Sequence, residues 1–334
     1  MVLLSICIPS YNRPDELIRL LSSIDYFIDD IEIVICEDKS PRGAEVSKVV
    51  ECFKKNSSLV IHYYSNPVNL GYDKNLQELI SKANGKYITL MGDDDYFVSG
   101  AILDLISFLK NNPELGYVLR SYQLKSPNGI EQFRYYDSTI FFEPGYDSMI
   151  QQYRKNVFIS GFTILREPAL QCHTDIFDGT LLYQLYIAAE TALKYKTAYY
   201  DRILTEQCEG GKPFFGNAEA EKDLYTPETI TMNNSVNFMK GFFKITDFLD
   251  QKYGFNSSNY FKKDCSKYSY PILSIQKDNK QTDFNLYIKE LINLGFDCTW
   301  YFHLYVLGLK MLGKRNCDYI IFIIKKILGK TPVL

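Results

Sequence analysis

The chain has 334 residues, of which 46% are hydrophobic and 23% charged, with 37 lysines and arginines against 40 aspartates and glutamates. This composition is typical of a folded globular protein and excludes a disordered, a collagen-like or a small disulfide-stapled chain. The net charge of −3 gives no reason to expect nucleic acid as a partner, because proteins that bind nucleic acid usually carry a basic surface.

Apolar runs alternate with helical repeats at the start of the chain. Strands buried on both faces are predicted from continuous apolar runs at 3–9, 31–36, 59–64, 86–91 and 116–122. Helices are predicted between them from apolar residues at helical spacing within 13–27, 46–53, 73–80 and 102–109. Asp73 is expected to cap the third helix. The alternation predicts an α/β fold with a mainly parallel, Rossmann-like sheet and helices on both faces.

The pattern becomes less regular beyond residue 126. One helix is predicted from Thr180 to Tyr195, and the segment 208–213, with its paired glycines and a proline, indicates a loop or a domain boundary. The remainder is predicted to be a helical extension. We therefore expect three segments, at 1–122, 123–215 and 216–334.

Polar residues follow three of the predicted strands, at the edge where parallel sheets bind ligands. They are Ser10-Tyr11-Asn12-Arg13, Glu37-Asp38 and Asp93-Asp94-Asp95. Three adjacent carboxylates repel one another and favour a cation. Mg²⁺ and Mn²⁺ prefer oxygen ligands, usually one or two carboxylates with substrate phosphates and water. A solvated acidic turn at a helix start is the alternative.

Two phosphate-binding patterns are absent from the sequence. The first strand is not followed by GxGxxG, and no GxxxxGK[ST] occurs, so neither a dinucleotide fingerprint nor a P-loop is present. The remaining interpretation is a nucleoside diphosphate held by a metal, with the nucleoside over the ends of the first two strands.

Four motifs, in this order, resemble the family 2 glycosyltransferases of GT-A fold. They are Ser5-Ile6-Cys7-Ile8-Pro9-Ser10-Tyr11-Asn12-Arg13, Glu37-Asp38-Lys39-Ser40, Asn69-Leu70-Gly71 with Lys74-Asn75, and Ala83-Asn84-Gly85-Lys86-Tyr87-Ile88 leading into Gly92-Asp93-Asp94-Asp95. The later part is similar, more loosely, to abequosyltransferases and other transferases of O-antigen and capsule synthesis. The resemblance implies a hexosyltransferase-type enzyme that transfers a sugar, with inversion, from a nucleotide-diphosphate sugar to a saccharide hydroxyl.

The resemblance also assigns the donor site. It places Pro9, Tyr11 and Arg13 around the base, Asp38 near base and ribose, and Lys74 where many members have a nucleotide-contacting arginine. It implies Mn²⁺ or Mg²⁺ as cofactor and a nucleotide sugar as donor, with UDP as the first candidate. Within the triplet it favours Asp94 as the central metal ligand, with Asp93 and Asp95 close to the ribose or the metal. Segments 1–122 and 123–215 then become the nucleotide-sugar-binding and acceptor-binding halves of one domain.

An inverting transferase needs a general base for the acceptor hydroxyl. The resemblance implies an aspartate at a helix start in the second half, which favours Asp178, with a simple helix cap as the alternative. Asp175 and Glu190 are further candidates. Gly210-Gly211-Lys212 is either a loop that closes over the donor or a plain linker.

The last 35 residues carry six basic side chains against the single acid Asp318. The basic residues are Lys310, Lys314, Arg315, Lys325, Lys326 and Lys330. Because they alternate with Phe, Tyr, Leu and Ile, they predict a helix on an anionic membrane surface. An amphipathic helix packed on the catalytic domain is the alternative. The resemblance implies an acceptor linked to undecaprenyl diphosphate at the inner face of the membrane.

The eight cysteines form no CxxC pair, and the chain begins without the basic region of a signal peptide. We therefore expect reduced cysteines and a cytoplasmic protein, peripheral on the membrane. Two other functions stay open. One is a non-catalytic GT-A module that binds glycan or nucleotide, and the other is a metal-dependent hydrolase of nucleotide sugars.

Overall fold

Strands and helices alternate through the first half of the chain in the computed structural model, as the apolar runs predict. The structure describes residues 2–26, 30–126, 129–208 and 213–328, with side chains up to residue 324. The chain divides into two compact units, Met1–Ala220 and Glu221–Leu334. The roles predicted for segments 1–122 and 123–215 stay predictions.

The strands all belong to the first unit and form one mixed sheet. They are β1 Leu4–Ser10, β2 Ile31–Glu37, β3 Ile61–Ser65, β4 Tyr87–Leu90, β5 Tyr96–Phe97, β6 Tyr117–Ser126, β7 Gly129–Phe133, β8 Ile140–Phe142, β9 Phe162–Leu165 and β10 Thr197–Cys208.

The helices lie in both units. Those of the first unit are α1 Pro14–Ser22, α2 Gly43–Asn56, α3 Tyr72–Lys82, α4 Ala101–Asn111, α5 Tyr146–Gln152, α6 Arg166–Leu170 and α7 Tyr183–Lys194. Those of the second unit are α8 Met232–Tyr253, α9 Ser257–Lys267, α10 Tyr270–Asp278, α11 Phe284–Asn293 and α12 Trp300–Leu328.

The strand order is β3-β2-β1-β4-β9-β6-β10-β5, with β7 on β6 and β8 on β10. The first four strands are parallel, as predicted, whereas β9 is antiparallel to both β4 and β6. Leu4 of β1 pairs with Ile31 of β2 and with Tyr87 of β4. This register brings the carboxyl ends of β1, β2 and β4 to one edge of the sheet.

Two local predictions at the helix starts are wrong. Helix α7 begins at Tyr183, not at Thr180, so Asp178 lies in a turn five residues before it and does not cap it. Helix α3 has Gly71, not Asp73, at its N-cap position. The Asp73 carboxylate instead accepts hydrogen bonds of 2.9 Å from the amides of Leu181 and Tyr183. Asp73 therefore joins α3 to the start of α7.

A buried carboxylate organises the amino ends of the same strands. Glu32 of β2 accepts hydrogen bonds of 2.6 Å from the hydroxyl of Ser5 and from the amide of Asn84. The Ser5 hydroxyl also accepts from the amide of Gly85 at 2.8 Å. A Cβ atom on Gly85 would lie only 2.6 Å from the Ser5 nitrogen, so a larger residue cannot fit there unless β1 moves. The Asn84-Gly85 motif therefore has a structural role, because its two amides bind Glu32 and Ser5.

In residues 221–328 of the second unit, the regular secondary structure consists of helices, which confirms the predicted helical extension. Thr231 caps α8, Asp283 caps α11, and Asp250 accepts from the amides of Ser257 and Ser258 at the start of α9. Helix α12 is interrupted at Gly313, which has a φ of 73° and a ψ of 168°. Within the part of the chain that the structure describes, no helix is long and apolar enough to cross a membrane.

We predict that Glu32→Gln destabilises the first unit, because an amide nitrogen would face donors that now bind a carboxylate oxygen. We expect a loss of about 1–3 kcal/mol in the free energy of unfolding at neutral pH, measured by urea denaturation. Burial alone would raise the pKa of Glu32, but hydrogen bonds from Ser5 and Asn84 outweigh it and lower the pKa. The stabilisation is therefore present above the unfolded-state pKa and is lost as the pH falls through the lower folded-state value.

The difference between wild type and Glu32→Gln should accordingly shrink as the medium is acidified. Glu51→Gln, at an exposed position on α2, is the matched control and should change little. A difference that stays constant from neutral to acidic pH would contradict the account.

Candidate functional site

The predicted donor site lies at the carboxyl ends of β1, β2 and β4. Asp93 is buried, and its carboxylate accepts from the amide of Tyr11 at 3.1 Å and from the Arg13 guanidinium at 2.8 Å. Arg13 also forms an ion pair of 3.0 Å with Asp94. The structure thus brings together Tyr11, Arg13, Asp93 and Asp94, which the sequence had assigned to one site.

Asp95 is held from another direction, by residues that the sequence analysis did not single out. The Ser160 hydroxyl donates to one carboxylate oxygen, and the amide of Cys208 donates to the other at 3.1 Å. Ser160 also accepts from the amide of Gly92 at 3.0 Å. Its hydroxyl therefore connects the two ends of the triplet segment. Only its proximity in the fold identifies it, because it lies 65 residues further along the chain.

A fully buried arginine supports the segment that carries Ser160. The Nε of Arg120 on β6 donates to the carbonyl of Ser160 at 2.8 Å, and the guanidinium lies over the rings of Tyr122 and Phe158. Gly161 follows with a φ of 83°, and a Cβ there would lie 3.2 Å from Arg120 Cγ. Arg120 thereby fixes the backbone from which Ser160 reaches Asp95.

The electrostatics of the triplet favour a cation. Burial raises the pKa of Asp93 to about 6, although Arg13 opposes this. Burial, and then the neighbouring charge of Asp94, raises the pKa of Asp95 to about 7. Both carboxyl groups therefore ionise less readily than an exposed aspartate does. A cation bound nearby would favour their ionised forms.

The residues present fit a divalent cation that is shared with a substrate. In the described ranges, no group of three or more His, Cys, Asp or Glu side chains could hold a metal alone. Asp94 is the member of the triplet whose side chain is 27% exposed, whereas Asp93 and Asp95 are buried. One or two carboxylates together with phosphate oxygens are the ligand set that Mg²⁺ commonly uses. Asp94, with Asp95 beside it, would hold such an ion.

Asp38 is buried beneath the loop that follows β3. Its carboxylate accepts from the side chain of Asn66 at 2.8 Å and from the amides of Leu70 and Gly71 at 2.9 Å. Burial raises the pKa of Asp38, while these hydrogen bonds oppose the rise. Asp38 therefore anchors the 66–71 loop, and its predicted contact with base and ribose stays a prediction.

Two serine hydroxyls near Asp38 are candidate ligand contacts that were not assigned from the sequence. Within the described part of the chain, the hydroxyl oxygens of Ser10 and Ser40 are buried without a hydrogen-bond partner. Ser10 ends β1 and its carbonyl accepts from the amide of Asp38 at 3.0 Å, while Ser40 lies just beyond the end of β2. Buried hydroxyls are normally hydrogen-bonded, so both are candidates to bind a nucleoside.

Phe214 contacts two of the residues that are predicted to surround the base. The Phe214 ring lies 5.2 Å from the Arg13 guanidinium and 6.3 Å from the Tyr11 ring. Pro9 is half-buried at the end of β1. The predicted closing segment Gly210-Gly211-Lys212 lies outside the described residues. Phe214 was missed because one phenylalanine among 22 carries no sequence signal of its own.

Lys74 and Asp178 were predicted for different roles but contact each other. Lys74 Nζ lies 3.0 Å from Asp178 Oδ2, and this partner raises the pKa of Lys74. The other carboxylate oxygen of Asp178 is buried and has no hydrogen-bond partner in the described structure. Of the alternative bases, Asp175 is exposed, whereas Glu190 is buried within α7 and paired with Lys194 at 2.8 Å.

Two curated relatives match parts of the chain. Abequosyltransferase RfbV of Salmonella typhimurium is 36% identical over 117 residues, which are 34% of this chain and 34% of that protein. The GalNAc(5)-diNAcBac-PP-undecaprenol beta-1,3-glucosyltransferase of Campylobacter jejuni is 27% identical over 104 residues, 31% of this chain and 33% of that protein. The chain therefore matches only about a third of the length of each.

Solved structures share the fold across nearly the whole chain. TarS of S. aureus in complex with UDP-GlcNAc has a TM-score of 0.56 at 15% identity and covers 92% of both chains. The mannosyltransferase PcManGT of Pyrobaculum calidifontis, in complex with GDP-Man and Mn²⁺, has a TM-score of 0.54 at 13% identity, covering 93% of this chain and 86% of that one. At these identities the likeness concerns the fold, which is GT-A.

The model of the glycosyl transferase family 2 matches residues 5–173, just over half of the chain. The matched range contains β1 from its second residue onward, β2 to β4, the aspartate triplet, Asp38 and Ser160. With its GT-A fold and this site, the chain belongs to glycosyl transferase family 2.

Proposed function

We propose that the chain is an inverting, metal-dependent glycosyltransferase that moves a sugar from a nucleotide-diphosphate sugar to a hydroxyl of a lipid-linked saccharide. The observation that carries the proposal is the aspartate triplet after β4. Asp94 is partly exposed there, while hydrogen bonds hold Asp93 and Asp95 in fixed positions. A family 2 chain with this arrangement is well suited to bind a donor diphosphate.

Mn²⁺ or Mg²⁺ held by Asp94 and Asp95 would stabilise the charge that develops on the leaving nucleoside diphosphate. Arg13 already neutralises part of the charge of Asp93 and Asp94. Pro9, Tyr11, Ser10 and Ser40 would border the nucleoside. UDP is the first donor nucleotide to test, because TarS was crystallised with UDP-GlcNAc. GDP is the next, because PcManGT was crystallised with GDP-Man.

Asp178 is our candidate for the general base that takes the proton of the acceptor hydroxyl. Lys74 holds one of its oxygens at 3.0 Å, and the other lacks a hydrogen-bond partner among the described residues. Asp73 supports this arrangement, because it fixes the backbone at Leu181 and Tyr183 on the other side of the turn. In this scheme Lys74 positions Asp178 instead of only contacting the nucleotide.

The acceptor is proposed from the Campylobacter jejuni relative, whose name specifies a saccharide on undecaprenol diphosphate. An acceptor of that class is confined to a membrane, so the enzyme would work at the inner face, in O-antigen or capsule synthesis. Measuring free sugar as well as transferred sugar separates this activity from a hydrolase. A binding module without activity would release neither product.

We predict that Asp94→Asn lowers metal-dependent transfer by about two to three orders of magnitude, since a metal contributes several kcal/mol to such a step. Transfer is measured with a panel of UDP- and GDP-sugars in Mn²⁺ and Mg²⁺, and Mn²⁺ binding is followed by electron paramagnetic resonance with UDP or GDP present. Asp94→Asn should lose the bound-Mn²⁺ signal, whereas Asp93→Asn should keep it and bind nucleotide more weakly.

Asp15→Asn is the matched control, because it removes one carboxylate from an exposed position of the same unit. Full activity in the presence of a chelator would disprove the metal dependence, whatever the variants do.

We predict that Asp178→Asn lowers turnover by about 10²–10⁴-fold while nucleotide binding, measured by calorimetry, stays unchanged. If Lys74 acts through Asp178, a Lys74→Met/Asp178→Asn cycle should be strongly non-additive, because once Asp178 is changed the loss of Lys74 costs little more. Independent effects would instead place Lys74 on the nucleotide.

Asp175→Asn is the control for this cycle, and it should retain activity. If Asp178→Asn is active while Asp175→Asn or Glu190→Gln is not, another residue is the base.

A further inference from the structure

Helix α12 carries a stripe of large, exposed apolar side chains that face away from the other helices of the second unit. The stripe consists of Trp300, Leu304, Leu307 and Met311, which follow one another at intervals of four, three and four residues. Trp300 is 63% exposed and Met311 is 73% exposed, and both leucines are at least half exposed. This spacing matches one face of a helix with about 3.6 residues per turn.

The opposite face of the same helix packs into the second unit. Phe302 and Leu309 are buried, and Tyr305 donates through its hydroxyl to the carbonyl of Lys267 in α9 at 3.1 Å. The helix therefore buries one face in the second unit, and the stripe is a second apolar face that the fold of this unit does not cover. Soluble monomers rarely expose contiguous apolar patches of this kind, so an exposed stripe indicates an interaction surface.

Large apolar side chains are also exposed beyond the interruption at Gly313. They are Tyr319, Ile320, Phe322, Ile323 and Ile324. Exposed aromatic and aliphatic side chains thus occur on both sides of the interruption. Trp and Tyr are the residues that favour the boundary between lipid and water.

Basic residues accompany this surface. Lys310 and Arg315 are exposed. Asp318, the acid of this helix, is paired with Lys314 at 2.9 Å, so its charge is neutralised locally. Lys325 and Lys326 follow in the sequence, in a protein that is otherwise acidic. A large apolar face with flanking lysines and arginines is the pattern of helices that lie in the interface of anionic membranes.

We propose that the stripe of α12, with its basic flank, binds the surface of a bilayer that contains anionic lipids. The charge distinguishes this partner from a second copy of the chain. A dimer through this face would offer Lys310 and Arg315 no acidic partner on α12, because the single acid in the sequence of that helix, Asp318, is already paired with Lys314. An anionic bilayer offers both an apolar interior and negative headgroups.

This inference extends the proposed function, which requires access to a lipid-linked acceptor, but its test needs neither donor nor acceptor. Trp300 is the only tryptophan in the chain, so its fluorescence reports on the stripe directly. With phosphatidylcholine vesicles that contain phosphatidylglycerol, we expect the emission to move to shorter wavelength and the protein to sediment with the vesicles. Pure phosphatidylcholine vesicles should bind it much more weakly, and added salt should weaken binding to the anionic ones.

Two sets of surface variants test the two components separately. Leu307→Ser/Met311→Ser should weaken vesicle binding by about 100-fold, because it removes two apolar side chains from the contact. Lys310→Gln/Arg315→Gln should weaken it by about 25-fold on anionic vesicles, at roughly five-fold per charge. Leu103→Ser/Ile130→Ser, which removes two exposed apolar side chains of the first unit, is the matched control.

The outcomes distinguish this proposal from its alternatives. Folded protein that neither sediments with anionic vesicles nor changes its Trp300 emission would overturn it. So would a dimer, seen by light scattering without lipid, that Leu307→Ser/Met311→Ser converts to monomer. Asp94→Asn should bind vesicles like the wild type, so a failure of the catalytic proposal leaves this measurement unaffected.

Discussion

A carboxylate that is removed from water has to be hydrogen-bonded, and this requirement shapes each loop of the ligand-binding edge. Asp38 holds the 66–71 loop, Asp73 holds the start of α7, Asp93 holds the turn after β1, and Asp95 holds the end of β10. In each case the donors include a backbone amide from a distant part of the chain. The loops are therefore positioned by a few acids, and the sheet supplies the register that brings those acids together.

The parallel part of the sheet could be predicted from the sequence because its strands are continuous apolar runs separated by helical repeats. The later strands could not. Strand β9 has four residues and lies antiparallel between β4 and β6, and β7 is largely exposed, so neither has the pattern of a buried parallel strand. Helix α7 was predicted too long because apolar residues continue before Tyr183, whereas Leu181 adopts a positive φ of 63° that a helix cannot contain.

The residues of the candidate donor site that could be predicted are those that follow a strand directly, such as Tyr11, Arg13 and the aspartate triplet. Ser160, Arg120 and Phe214 contribute only through contacts between distant segments, which no local pattern encodes. The motif Asn84-Gly85 shows the converse. It helped to identify the family, yet its residues bind Glu32 and Ser5 at the end of the sheet opposite the candidate donor site.

The bonds between Asp73 and the start of α7 also bear on how such enzymes can diverge. Because Asp73 accepts from the backbone amides of Leu181 and Tyr183, no side chain of this segment takes part in the bonds, although proline is excluded at both positions and the positive φ of Leu181 disfavours β-branched residues there. Side chains in this segment can therefore change in evolution, or in a chimeric enzyme, without loosening the attachment to α3. The attachment of this segment to the first half of the chain thus rests on Asp73 and on backbone amides, and not on a matching side chain.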